Sequence, residues 1–512
     1  MRVLLGVLVL APQVLTAQKM TLEWAEEART KGWQSIEPIG QVDDRLYFLM
    51  SRSKAGLLEY TLLSYTTQLT DPQQKPVYVV RTGSAAVGGQ ETPSVFFSAR
   101  TKKLHFVGNT VNPTTKAVRT LLNSFSFEGE SLVKNKEIAS FTYESGRAGQ
   151  AGSNIVASFD SSLIALYLTV PSKRKEAEQL IVQVFTQDFE APVWDRTVEL
   201  PYASKDASLN NAVVDKDGNF YLLYEIKEAA EARAQGAAKY YKTIFAVTPS
   251  GDPFEYVVKL EGQEIESVGI GTDPTGNLLV SGFYGPKGAS RNSSGLFSFT
   301  LNVQTREPGQ RFEKLIPDLY AADIGNRKKY EYRLRKGFIL GDDGTQLLLA
   351  EQYYYYVVTT YYPYGGSNST YHYVYGPAAI VKLSGGQEVE WVRRVPKLQH
   401  TTDDGGVFSS YYGFLYQDNV VLVYNDDPDN LTVLEDARHN DLDQSRRMKQ
   451  AAVMAAIVAP DGTLQKQLLQ AYDPTLGVAI VPRLSQPIND TTHLVVARWR
   501  KDYRIGRLVV TE

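Results

Sequence analysis

The stretch Asn211–Glu225, NAVVDKDGNFYLLYE, places two β-rich runs on either side of one tight polar turn. The Asp and Gly of DKDGN supply the backbone angles that a hairpin needs, and the flanking Val, Phe, Tyr and Leu favour a half-buried pleated strand. Comparable pairs recur along the chain: PSVFFSARTKKLHFVG from Pro93, NIVASFDSSLIALYL from Asn154, SVGIGTDPTGNLLVSGFYG from Ser267, KGFILGDDGTQLLLAE from Lys336 and YYGFLYQDNVVLVY from Tyr411. Weaker copies begin at Ser35 and Gly477. Successive copies lie about 55–75 residues apart, a repeat period rather than a scatter of unrelated hairpins.

Each pair is followed by a second pair, for example Tyr241–Val247 and Phe254–Leu260 around a Pro-Ser-Gly-Asp turn. The unit is therefore four antiparallel strands, A to D. Such units repeated radially make an all-β propeller, with eight blades expected and seven the competing count. A β-solenoid or a pair of β-sandwiches is the remaining alternative. The last unit supplies strands A, B and C and then the chain stops. Its missing D strand has a candidate at the other terminus, Met20–Ala25 within residues 18–27. Trp24 there matches Trp194 and Trp391 on two other D strands. Closure by this strand removes the open edge that otherwise invites aggregation. The one helical pattern is Ile226–Lys239, rich in Ala and Glu.

The turns Asp215–Asn219, Asp273–Asn277, Asp342–Thr345 and Asp461–Thr463 share a D-x-x-G-N/T character. They resemble those of secreted bacterial β-propeller repeat families, including the NHL type and Bacteroidota propeller repeats. That resemblance implies fold and export, and no activity.

The composition agrees with a large folded body. Of 512 residues, 43% are hydrophobic and 22% charged, which excludes wholesale disorder. The formal charge of -3 offers no general basis for holding a phosphate backbone, so nucleic acid is not an expected partner. With no cysteine there is no disulfide framework. Arg2 followed by the short apolar run Val3–Leu10 reads as a signal peptide over residues 1–17, placing the single propeller domain at 18–512 in the periplasm, at the cell surface or outside the cell. No later apolar run is long enough for a transmembrane segment.

Long B–C and D–A connections gather on one face of such a propeller, which marks that face as the expected binding side. The most unusual is the 353–375 insertion, a tyrosine-rich hairpin. Its expected ligand-binding residues are Tyr353, Tyr355, Tyr361, Tyr362, Tyr364, Tyr371, Tyr373 and Tyr375, with Tyr354 and Tyr356 in the same run. Tyrosine pairs a flat apolar ring with a hydroxyl, which suits a sugar, a peptide or another protein. A self-packed ladder of cross-strand rings is the bland alternative. The acidic 425–449 loop insertion carries Asp426, Asp427, Asp429, Glu435, Asp436, Asp441 and Asp443, but its spacing does not match an EF-hand and nearby Arg and Lys can neutralise it, so no metal is assigned. Arg327, Lys328, Lys329, Arg333, Arg335 and Lys336 form a local basic patch.

No nucleophile elbow, zinc-protease motif or P-loop is present, and the five histidines are scattered through the sequence. The expectation is a non-enzymatic exported module, with no cofactor, that engages a glycan, peptide or envelope protein. The alternative is a polysaccharide hydrolase or lyase with carboxylates meeting at the central funnel.

Overall fold

The computed structural model describes residues 19–81, 92–112, 114–143, 152–235, 238–273, 276–286, 295–309, 311–316, 332–340, 345–362, 366–384, 388–433, 442–443, 451–472, 479–499 and 502–511, leaving aside the side chains of 335–340, 443 and 499. The strands form eight sheets. Blade 1 runs from Ser35–Val42 to Gln73–Arg81, blade 2 from Ser94–Ser98 to Ser131–Thr142, and blade 3 from Ser153–Ala157 to Pro192–Ala203. Blade 4 runs from Ala207–Val214 to Phe254–Val258, and blade 5 from Gln263–Thr272 to Phe312–Leu315. Blade 6 has Tyr332–Leu340, Gln346–Tyr361, Ser367–Leu383 and Val389–Val395 as strands A to D; blade 7 has Tyr412–Tyr416, Asn419–Asp426, Ala452–Val458 and Leu464–Gln470.

Blade 8 is assembled from both ends of the chain. Its A position is split between Ala479–Ile480 and Gln486–Asn489, which both pair with Thr492–Trp499; Asp502–Thr511 follows as strand C. Lys19–Trp24 then adds antiparallel to Asp502–Thr511, in register from Lys19 opposite Thr511 to Trp24 opposite Gly506. The N-terminal strand therefore closes the ring.

Side-chain alternation turns these sheets into a ring. Successive residues of a strand face opposite sides of the sheet. In blade 4, Phe220, Leu222 and Tyr224 pack on blade 3, while Tyr221 and Leu223 pack on blade 5. The same arrangement repeats between blades 1 and 2, 2 and 3, 5 and 6, 6 and 7, and 7 and 8. The final apolar layer joins Leu494, Val496 and Ile505 of blade 8 to Ile36, Leu46 and Phe48 of blade 1. Eight layers for eight sheets leave no open side, so the fold is an eight-bladed β-propeller and the seven-blade count is excluded.

Two local expectations change. The helix is only Ala230–Ala234, because Ile226 and Lys227 stay in strand Phe220–Lys227, paired with Tyr241 and Tyr240. A five-residue helix with no buried residue is held only by its own turn, so the strand ladder wins on its N-terminal side. The three tryptophans do lie on outer strands, but they differ in what they grip. Trp194 Nε1 donates to the Gly218 carbonyl and Trp391 Nε1 to the Pro460 carbonyl, each a turn of the following blade, whereas Trp24 Nε1 reaches Gln470 Oε1 of the preceding one.

Candidate binding site

Blade 6 overruns its own sheet. Pairing with strand A ends at Tyr332 opposite Gln352, and pairing with strand D ends at Ala378 opposite Val395. Strands B and C continue as a hairpin to Tyr361 opposite Ser367, with a further strand beside strand C over its lower part. Its run of Tyr, Val and Thr consists of residues that favour extended backbone. A register shift between Glu351 and Tyr353 marks where the buried strand becomes a projecting one, the usual work of a bulge. Below it Gln346–Glu351 are buried; above it Tyr355–Tyr362 are exposed. At the turn the Tyr362 N–H donates to the Gly366 carbonyl, and Gly366 takes the left-handed backbone that its lack of Cβ allows.

Cross-strand register sorts the rings onto two faces. One face carries Tyr353, Tyr355, Val357 and Tyr361 with Tyr371, Tyr373 and Tyr375; the other carries Tyr354, Tyr356 and Val358 with His372 and Val374. Near the base the rings pack on each other. Tyr353 and Tyr375 have centroids 4.8 Å apart, and Tyr355 and Tyr373 6.5 Å. The Arg333 guanidinium sits 4.9 Å from the Tyr353 ring centre. Tyr375 is buried, and a Cβ on Gly406 would collide with its ring, so the 403–411 segment lies over it. Toward the tip the rings are free of such cover: Tyr355 is 56% exposed, Tyr361 79%, Tyr362 53% and Tyr371 45%. The hairpin therefore brings together seven of the eight expected tyrosines, of which Tyr353, Tyr373 and Tyr375 serve packing at the base. Tyr364 lies outside the described residues.

The base is widened by chain from elsewhere. Gln399–Thr402 pairs antiparallel with His372–Tyr375, and Leu442–Asp443 pairs parallel with Gln399 and His400. On the face opposite the tyrosine ladder, the His372 ring stacks on Tyr356 at 4.5 Å with planes 2° apart, and His372 Nδ1 lies 3.0 Å from His400 Nε2.

Beneath the hairpin lies a polar foot that the sequence reading missed. Glu351 and Lys397 form an ion pair with both side chains 0% exposed. Ser410 Oγ donates to Glu351 Oε2 at 2.8 Å, and Lys397 Nζ donates to Gln399 Oε1 at 3.2 Å. Gln399 Nε2 donates to the Asn425 carbonyl, and the Asn425 side chain both donates to and accepts from the Ile480 backbone in blade 8. Ser410 adopts φ 73°, a strained conformation for a residue other than glycine. Asp426 is fully buried and accepts from Asn430 Nδ2 at 2.8 Å. Burial pushes its carboxyl up to about 6, against the opposing pull of that hydrogen bond and of Lys466 and Lys397. Asp426 and Asp427 are thus interior groups rather than part of a solvated acidic loop; Glu435, Asp436 and Asp441 lie outside the described residues. Of the basic patch, Arg327, Lys328 and Lys329 lie outside them too. The signal for the foot was present as polar interruptions, Glu351 after LLLA and Asn425-Asp426 after VVLVY. Only the packing of three blades shows that they meet.

Among the described residues, no three His, Asp or Glu side chains gather as a ready-made metal cage. No helix among them is long and apolar enough to cross a membrane. The chain matches no family model and no curated protein. Among solved structures it is similar to the β-propeller domain of the Trilobed protease from Pyrococcus furiosus (11% identity, 88% of this chain and 98% of that one, TM-score 0.37). It is also similar to the Dos1 propeller (9% identity, 96% and 95%, TM-score 0.41) and to the polysaccharide lyase Uly1 (11% identity, 97% and 93%, TM-score 0.37). None of these likenesses bears on activity.

Proposed function

We propose that this chain is an exported binding module whose blade 6 hairpin grips an uncharged glycan. The observation that carries the reading is the tip itself. Tyr355, Tyr361, Tyr362 and Tyr371 are exposed together with Val357 and Val358, on strands that extend past their neighbours. From Gln352 to Val381 there is no Asp, Glu, Lys or Arg. The tip therefore offers a phosphate-bearing, sulfated or uronate-rich chain no counter-ion of its own; the Arg333 guanidinium lies at the base, over Tyr353. Tyrosine rings offer flat apolar faces to sugar C–H groups, and their hydroxyls donate and accept, at low entropy cost because the side chain has two torsions. The ion-paired foot holds the projecting strands to the ring.

The experiment is a glycan and peptide array probed with the wild type and with a variant whose residues 357–371 are replaced by Asn-Gly. Binding to neutral glycans that the variant loses, and that changes little between about 50 and about 500 mM salt, supports the reading. Identical, empty profiles for the two proteins overturn it, and signals confined to peptides transfer the site to a protein partner. Incubating the bound glycans with the wild type tests the hydrolase or lyase alternative, since new reducing ends or unsaturated products favour it. Export is checked by the mass of the protein recovered after expression with its first 17 residues in a Gram-negative host.

A further inference from the structure

We infer that His372 and His400 form a binding site for a first-row transition-metal ion of the Zn²⁺, Ni²⁺ or Cu²⁺ class, which staples the hairpin to the strand lying beside it. The inference is independent of the glycan reading. The two histidines come from different connections of the ring: His372 from strand C of blade 6, and His400 from the segment that leads to blade 7. Backbone pairing of His372–Tyr375 with Gln399–Thr402 fixes their separation.

His372 Nδ1 and His400 Nε2 lie 3.0 Å apart. Two metal–nitrogen bonds of about 2.0–2.1 Å, meeting between a right angle and the tetrahedral angle, set their nitrogens about 2.9–3.4 Å apart. The ladder thus already holds the nitrogens at ligand spacing, and the change required is a turn of the rings that aims both lone pairs at one ion instead of at each other. Without metal the contact is a hydrogen bond with one nitrogen protonated; binding displaces that proton, and both nitrogens become donors to the ion. Imidazole is the ligand these ions favour, and hard Ca²⁺ or Mg²⁺ has no oxygen cage here.

Two further features prepare the site. Tyr356 lies flat on His372 at 4.5 Å, and its ring is 6.2 Å from that of His400, so one aromatic side chain limits the tilt of the pair. Both histidines are half-buried, which leaves one side for the ion and its waters. Leu442–Asp443 pairs parallel with Gln399 and His400 and so backs the strand that carries His400. The inference itself requires only the two imidazoles. Two other histidines do not compete for this geometry: His105 and His493 are buried elsewhere, in blades 2 and 8; His439 lies outside the described residues.

The test uses the untagged full chain, stripped with a chelator and titrated calorimetrically with Zn²⁺ alone. One equivalent is expected to bind. His372→Gln and His400→Gln, each confirmed to melt like the wild type without metal, should each weaken binding by about 10–100-fold. Wild-type affinity in both variants overturns the inference, as does the absence of binding to the wild type at millimolar metal. Electron paramagnetic resonance of the Cu²⁺-loaded wild type gives a reading that needs no variant: coupling to two imidazole nitrogens supports the site, and a signal without nitrogen coupling refutes it.

Discussion

Two strand edges in this ring are treated in opposite ways. In blade 8 the outer edge is covered by Lys19–Trp24, and Met20 enters the apolar layer shared with blade 7 at 3% exposed. In blade 6 the strands run on past the sheet, and the tip keeps its aromatic side chains in solvent. Both segments are rich in strand-forming residues. They differ in what covers them: the seam is covered by another sheet, whereas the tip rings stay exposed even where the Tyr371 backbone exchanges hydrogen bonds with Asp403. Burial makes the first a matter of stability. Exposure leaves the second available for recognition.

The largest effect should come from breaking the seam. Deleting residues 18–27 removes a six-residue ladder, the Met20 anchor and the Trp24–Gln470 hydrogen bond, and it reopens the outer edge of blade 8 beside blade 7. Calorimetry should show the cooperative transition collapse or move down by about 10 °C or more, consistent with losing several kcal/mol from a large domain. The hairpin-tip replacement at 357–371, run in parallel, should leave the transition within about 2 °C, since exposed side chains contribute little to stability. Equal losses in the two variants would erase the contrast between seam and tip.

The foot of the hairpin lies between these extremes. Lys397→Met removes the ion-pair partner of the fully buried Glu351 carboxyl. Denaturant unfolding should show a loss of about 3–5 kcal/mol, and adding Glu351→Gln should recover part of it. A single substitution that costs less than about 1 kcal/mol would show that the pair does not hold the hairpin base.

A smaller, pH-dependent effect concerns Asp426. Burial raises its carboxyl from 3.8 to about 6, so the folded chain holds that proton more tightly than the unfolded chain. The stabilisation it gives is fully present below about 3.8 and is lost as pH rises through about 6. His105 and His493, both lowered by burial to about 4, act in the opposite sense over an overlapping range, losing stability as pH falls from 6.5. The clean reading is therefore a difference: wild type minus Asp426→Asn should decline in unfolding free energy between about pH 4 and 6. A flat difference would place the Asp426 titration outside that window.

Much of the fold was legible before any coordinates. Turn chemistry at Asp215–Asn219 and its counterparts marked the hairpins, strand alternation marked the blades, and the orphaned C strand at Asp502–Thr511 called for a partner from the N-terminus. These are local properties, written in spacing and residue type. The eight-blade count could be settled only by the eight apolar layers, because the weak first and last units are recognised by what they pack against. The candidate site divides along the same line. The tyrosine hairpin stood out as composition, but its division into packed base and exposed tip follows from register and from Gly406 lying over Tyr375.

The chain by itself thus determined a repeating all-β architecture and a neutral aromatic insertion, which depend on neighbours a few residues away, and it marked a closing strand as the piece that the last unit lacks. Tertiary structure alone decided that Glu351 meets Lys397, that Asn425 reaches Ile480, and that His372 faces His400. These contacts join segments separated by tens of residues. Their partners are set by strand pairing and by the packing of blade on blade, which no local pattern encodes.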